Sequence, residues 1–198
     1  MWTRGDGQWI SSTPFILFIR HGDRAPLPLD DPYRDVDLTP QGYADVARLS
    51  AVLRGRVSWT AASPFLRCRA TAKGLGCEPE DDTRLGRHGP WVIDADAAGR
   101  EFASRGAEAV IRAQVAGLQL EGMRKPEEAV PLLLSAGLER AARGSGVCVS
   151  HDAVLMPAMA WLFGVDAVGE WLAPLGGFAV ELRADGPVAI WRGRERRC

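Results

Sequence analysis

The chain has 198 residues, 46% of them apolar and 25% charged, with a formal net charge of −1. These are the proportions of one globular domain large enough to bury a core, and they exclude the broad basic field that draws proteins to nucleic acid or anionic membrane. Four cysteines, Cys68, Cys77, Cys148 and Cys198, show neither a CxxC pair nor metal-ligand spacing; free thiols in a reducing, cytoplasmic setting are expected. The early apolar run at 15–19 is too short to span a membrane and lacks the basic start of a signal peptide.

Residues 1–13 read as a polar lead-in. The continuous apolar run at 14–19 predicts a buried central strand, and a Pro- and Asp-rich loop follows at 26–37. Thr39 as N-cap and Pro40 at the first helical position start a helix, with Leu38 and Tyr43 at staple spacing. Tyr43, Val46, Ala47, Ser50 and Leu53 repeat at helical period as its inward face, and Gly55 stops it. A second strand is expected at 57–61, a helix at 65–73 ended by Gly74 and Gly76, and a short third strand at 91–93. From 99 to 143 the pattern is helical, broken near Gly122 and Pro126. A buried strand at 146–150 and a helix at 153–163 precede two strands, 178–183 and 188–192, around the turn at 184–187. Residues 193–198 read as a frayed basic tail. Strands alternating with helices predict a single α/β domain over 1–198, a three-layer α/β/α sandwich around a mostly parallel sheet.

Three strand exits carry unusual polar residues: Arg20, His21, Asp23 and Arg24 at the first, Ser63 to Arg67 at the second, His151 and Asp152 at the third. Two of the three histidines in the chain fall there. Ligand sites of open α/β sheets lie outside the carboxyl ends of strands, but position alone balances a ligand crevice evenly against solvated strand ends. All basic residues except Lys73 and Lys125 are arginine, so each arginine must be justified by position. Arginines grouped with two histidines match a multiply charged oxyanion, and the guanidinium fork suits phosphate best. Histidines are too few for metal hydrolysis, and neither a P-loop nor a GxSxG elbow is present. Metal-free phosphoryl transfer on a histidine nucleophile remains, with no cofactor expected.

The segment LFIRHGDRAP (17–26) resembles the RHG signature of the histidine phosphatase superfamily, which also includes cofactor-dependent phosphoglycerate mutases. LTPQG (38–42), SPFLRCRATA (63–72) and VSHD (149–152) resemble that family's next three motifs, in family order. The resemblance implies the phosphoglycerate mutase-like fold, with His21 as the nucleophile that forms a phosphohistidine. It implies Arg20, Arg24, Arg67 and His151 as phosphate ligands. The stretch RLGRHGP (84–90) lacks the glutamate acid of the mutase-like branch, whereas the His151–Asp152 pair resembles the acid-phosphatase branch, so Asp152 is expected as general acid. It could also cap the following helix. Arg69 reads as a solvated helix residue, His88 as a surface histidine, Asp23 as a variable position or an arginine's partner. A phosphatase acting on a phosphorylated small molecule, or on a phosphorylated protein side chain, is the expectation. A mutase and a non-catalytic phosphate-binding module are the alternatives.

Overall fold

The apolar run that opens the chain becomes β1 (Phe15–Arg20), buried along nearly its whole length. In the computed structural model, residues 13–27, 34–168 and 171–198 are described; the lead-in lies almost wholly outside them. Beside β1 run β2 (Trp59–Ala62), β3 (Glu80–Asp81) and β4 (Gly146–Ser150), followed in the chain by β5 (Gly177–Arg183), β6 (Gly186–Trp191) and β7 (Arg194–Arg197). They form one sheet in the order β3-β2-β4-β1-β5-β6-β7.

The sheet is parallel in only one half. β3, β2, β4 and β1 pair in parallel, while β1–β5, β5–β6 and β6–β7 are antiparallel. This corrects the expectation of a mostly parallel sheet. A tight turn after β5 forces a hairpin, and the hairpin docks on β1 in the opposite sense.

Among the described residues, six α-helices accompany the sheet: α1 (Pro40–Leu53), α2 (Leu66–Gly74), α3 (Ala95–Arg105), α4 (Ala107–Val115), α5 (Pro126–Leu138) and α6 (Asp152–Phe163). Alternate residues of β1 divide between two cores, as strand geometry requires. Phe15, Leu17 and Ile19 join Val46 and Leu53 of α1 and Cys68 and Ala72 of α2. Ile16 and Phe18 face Leu133 of α5 and Leu155 and Met159 of α6. The architecture is therefore three layers, with a satellite cluster of Ala98, Val110, Leu120 and Met123 around α3 and α4.

Several local expectations need correction. Tyr43 is 46% exposed, because its hydroxyl donates to the Asp37 carboxylate at 2.8 Å; Ala47 is exposed too, and the inward face of α1 runs through Gly42, Val46, Leu49 and Leu53. Residues 91–93 form no strand. Val92 makes an isolated bridge with Met123, and the buried Trp91 donates its indole N–H to Val154 O at 2.9 Å. The third strand is Glu80–Asp81, bordered by charge: Glu80 accepts from Arg140 and Arg143, and Asp82 from Arg84 and Arg140. The long helical stretch is also broken at Gly106, whose φ of 78° suits glycine. Finally, residues 194–197 are not frayed but form β7, paired to β6 from Val188↔Arg197 to Trp191↔Arg194.

Candidate phosphoryl-transfer site

The three parallel strands β1, β4 and β2 end level with one another. Arg20 lies opposite Ser150, and Ala62 opposite Val149. The ladder runs one residue further on each side: His21 N donates to Ser150 O at 3.0 Å and Ser63 N to Val149 O at 2.9 Å. His21, Ser63 and His151 therefore leave the sheet side by side.

The turn after β1 is held by small residues at close range. Gly22 N donates to Thr71 Oγ1 at 2.9 Å, and that hydroxyl donates to Arg67 O. A Cβ on Gly22 would lie 3.2 Å from Val46 and 3.3 Å from Leu38 side chains. On Gly42 it would meet Asp23 O at 2.2 Å, so α1 leans directly on the backbone of the turn. Asp23 is not an arginine's hydrogen-bond partner: its carboxylate accepts from Thr39 Oγ1 at 2.7 Å, while Thr39 also caps α1 through Gly42 N.

His21 is 3% exposed. Its Nδ1 lies 2.8 Å from Gly22 O, a carbonyl that can only accept, so Nδ1 carries the proton and Nε2 keeps its lone pair. Arg67 Nε donates to that lone pair at 3.2 Å. Burial first, then the Arg67 and Arg20 charges, pull the His21 pKa from 6.5 to about 4, against the opposing pull of Gly22 O and Asp152. The ring is a neutral imidazole at any pH well above that value. His151 lies beside it, ring centroids 5.5 Å apart. Its Nε2 is 2.9 Å from Ser63 Oγ, and Arg67 Nη2 is 3.4 Å from its Nδ1. Burial, His21 and the arginines hold the His151 pKa well below the ordinary range.

Arg67 enters from the first turn of α2, its guanidinium 4.7 Å over the Phe65 ring. Arg20 and Arg24 enter from the end of β1 and the turn beyond. Among the described residues, Arg20 Nε, Arg24 Nε and Arg67 Nη1 are buried without a hydrogen-bond partner. Burying such donors unpaired costs on the order of 1–3 kcal/mol each. The three side chains lie close together: burial first, and then Arg20, lowers the pKa of Arg24, and burial first, and then Arg24, lowers that of Arg67. The carboxylate of Asp35, which caps the α2 backbone at Leu66 N, approaches Arg67 Nη1 only to 3.7 Å.

Asp152 opens α6, where His151 rather than Asp152 is the N-cap residue. Its Oδ2 lies 3.1 Å from Arg20 Nη2 and accepts from Trp171 Nε1 at 2.8 Å. The structure thus brings together His21, Arg20, Arg24, Arg67, His151 and Asp152. It keeps apart Arg69, half exposed and paired with Asp81 at 3.4 Å, and His88, exposed beside Arg87. Sequence reasoning assigns no role to Trp171, Thr71 or Asp35. None of them stands at a strand exit, and only Thr71 lies inside a motif. The described residues contain no set of three His, Cys, Asp or Glu side chains arranged to hold a metal ion. A neutral imidazole lone pair ringed by guanidinium N–H groups is equipped to attack the central atom of a bound oxyanion while its oxygens are held.

Comparison with known proteins agrees with this architecture. The family model of the histidine phosphatase superfamily (branch 1) matches residues 16–180. Among solved structures, YhfR of Bacillus stearothermophilus superposes with a TM-score of 0.61 at 16% identity, covering 90% of this chain and 96% of that one. A phosphoserine phosphatase from Entamoeba histolytica, in complex with 3-phosphoglyceric acid, gives 0.58 at 15%, covering 93% and 97%. A mycobacterial glucosyl-3-phosphoglycerate phosphatase complexed with VO3 gives 0.57 at 18%, covering 85% and 92%. No match is found among curated protein sequences. At these identities the solved structures share the fold, and the family match over residues 16–180, with the site geometry, makes this chain a member of the histidine phosphatase superfamily.

Proposed function

We propose that the protein is a metal-independent phosphomonoesterase that works through a phosphohistidine on His21, with Asp152 as general acid. The observation that carries this reading is a neutral His21 in a cluster of three arginines, Arg20, Arg24 and Arg67, each with a buried guanidinium nitrogen left without a partner. Phosphoryl oxygens would take up those donors, with His151 beside them. The Arg67 Nε–H that meets His21 Nε2 at 3.2 Å would pass to a phosphoryl oxygen and release the lone pair.

Nε2 then attacks phosphorus as the bond to the leaving oxygen breaks, and that oxygen takes the proton of the Asp152 carboxyl. The Nδ1–H bond to Gly22 O supports the positive charge that develops on the ring. Water attacks the phosphohistidine, its proton goes to Asp152, and the P–N bond breaks to return His21. The superfamily's phosphatase relatives, one of them in complex with 3-phosphoglyceric acid, support a small phosphorylated metabolite as substrate.

The test is turnover of 4-nitrophenyl phosphate with and without EDTA, beside His21→Ala. Wild type should be indifferent to EDTA, and the variant should lose at least about 10³-fold, the scale set by removing a covalent nucleophile. Denatured wild type quenched during turnover should carry a phosphoryl group labile in acid and stable in base. Activity that requires a divalent cation, or that survives loss of His21, overturns the mechanism. Phosphate binding without turnover would indicate a binding module.

A further inference from the structure

The carboxylate assigned as proton donor is held by an indole that no motif marks. Asp152 Oδ1 accepts from Ala153 N at 2.9 Å, within its own helix. Oδ2 accepts from Trp171 Nε1 at 2.8 Å and lies 3.1 Å from Arg20 Nη2. Arg20 Nη1 in turn donates to Leu172 O, the carbonyl next to the tryptophan. The result is a closed ring, Arg20 to Asp152 to Trp171 and through Leu172 back to Arg20. Arg112 of α4 stands over the indole face, 5.7 Å from the ring centroid. Beyond Leu172 the segment is laced to the exit of β1, with Arg20 N donating to Gly176 O and Leu175 N to Arg20 O.

The two donors on Oδ2 differ in what phosphate does to them. Arg20 is a phosphate ligand in the proposed mechanism, and a phosphoryl oxygen on its unpartnered Nε competes with Asp152 for the charge of the same guanidinium. The Trp171 N–H has no such competitor. With the Arg20 charge shared between phosphate and Asp152, the indole is the side-chain donor committed to the carboxyl alone, with the Ala153 N–H on its other oxygen.

We propose that Trp171 is the positioning residue for Asp152, keeping its carboxyl aimed at the leaving oxygen while Arg20 is engaged by the phosphoryl group. This rests on the reading of Asp152 as general acid. Because the indole N–H stays on Oδ2, the carboxyl keeps one rotamer through loss and recovery of its proton. A small error in donor placement costs most where the leaving group cannot depart without a proton.

The experiment compares 4-nitrophenyl phosphate, whose leaving group needs little protonation, with glycerol 2-phosphate, whose alkoxide needs a full proton. Wild type, Trp171→Phe, Asp152→Ala and His21→Ala are assayed on both. Trp171→Phe should lower kcat/KM for the alkyl ester on the order of 10-fold more than for the aryl ester, within the range assigned to general acids. Asp152→Ala should show the same selectivity, larger. Equal losses on both esters, or none, in Trp171→Phe would mean that the tryptophan only packs the segment, and the proposal falls. If Asp152→Ala is itself unselective, the acid assignment fails, and if His21→Ala stays active the whole mechanism fails, so the three failures are distinguishable.

Retention of inorganic phosphate affinity within a few-fold shows that Trp171→Phe is folded. Should it not fold, the indole N–H signals of folded Asp152→Ala decide. One of the seven tryptophans should shift strongly on loss of its acceptor, and a spectrum in which none moves overturns the proposal.

Discussion

His21 ties catalysis to stability, and the link is measurable without any substrate. In the unfolded chain an imidazole takes a proton below about 6.5, whereas in the folded protein His21 does so only below about 4. As pH falls through that window, protonation favours the unfolded chain, so this contribution to stability rises with pH from about 4 to 6.5 and is level above it. At about 1.4 kcal/mol per pH unit, the full gap amounts to about 3 kcal/mol, most of it lying between about pH 7 and about pH 4.5. His21→Gln substitutes a neutral polar side chain that cannot titrate. Guanidinium chloride unfolding at about pH 7 and about pH 4.5 should show wild type losing about 2 kcal/mol more than the variant over this interval. His151, also held well below its ordinary pKa, by burial first and then by His21, titrates in both proteins, so the difference reports His21 together with its coupling to His151, while the surface carboxylates cancel. Identical pH dependence in the two proteins would mean that His21 is not held neutral by its surroundings and is not prepared as a nucleophile.

Two further substitutions probe the frame around that ring. Arg67→Ala removes donors to both histidines and one of the three unpartnered nitrogens. It should lower kcat/KM for an aryl phosphate on the order of 10²-fold or more, as loss of a transition-state donor does, and weaken competitive inhibition by inorganic phosphate; an unchanged inhibition constant would place phosphate elsewhere. Gly42→Ala drives a methyl toward Asp23 O, which a Cβ would meet at 2.2 Å. Since backbone must move, chemical unfolding should report a loss of about 1–3 kcal/mol, and turnover should fall with it because the same turn carries His21; a neutral effect would contradict the packing of α1 on the turn.

The parts of the site legible in the sequence are those whose chemistry coincides with a strand exit. Uninterrupted apolar runs mark β1 and β4 as buried, and a charged residue that breaks such a run at its carboxyl end must meet either water or a ligand. That is why Arg20, His21, His151 and Asp152 stand out in the sequence itself. Arg67 was separable from Arg69 because only a motif fixes which arginine of a helix points inward, and Arg69 does reach outward to Asp81. Features built from charge or distant contact left no such trace. Glu80–Asp81 pairs as a strand although both residues are exposed, so hydrophobic periodicity is silent there. Trp171 bonds a residue 19 positions earlier in the chain, from a segment whose own spacing marks nothing. Tyr43 kept the spacing of a staple, yet its hydroxyl found Asp37 and drew the ring to the surface.

The last strand has a further consequence. β7 ends the sheet with Arg194, Glu195, Arg196 and Arg197, all exposed. Arg194 reaches Asp166 on the α6 side, where Arg196 also stands over Trp161, while Glu195 and Arg197 reach Arg183 and Asp185. Among the described residues β7 is the margin of the sheet, and charge flanks its outer row of backbone N–H and C=O groups from above and below. A foreign strand seeking to extend the sheet would have to strip water from several ionised side chains for each new ladder bond. At the opposite margin, β3 offers two residues, too few to template anything. The molecule thus carries its own defence against edge-to-edge aggregation, built from residues remote from its chemistry.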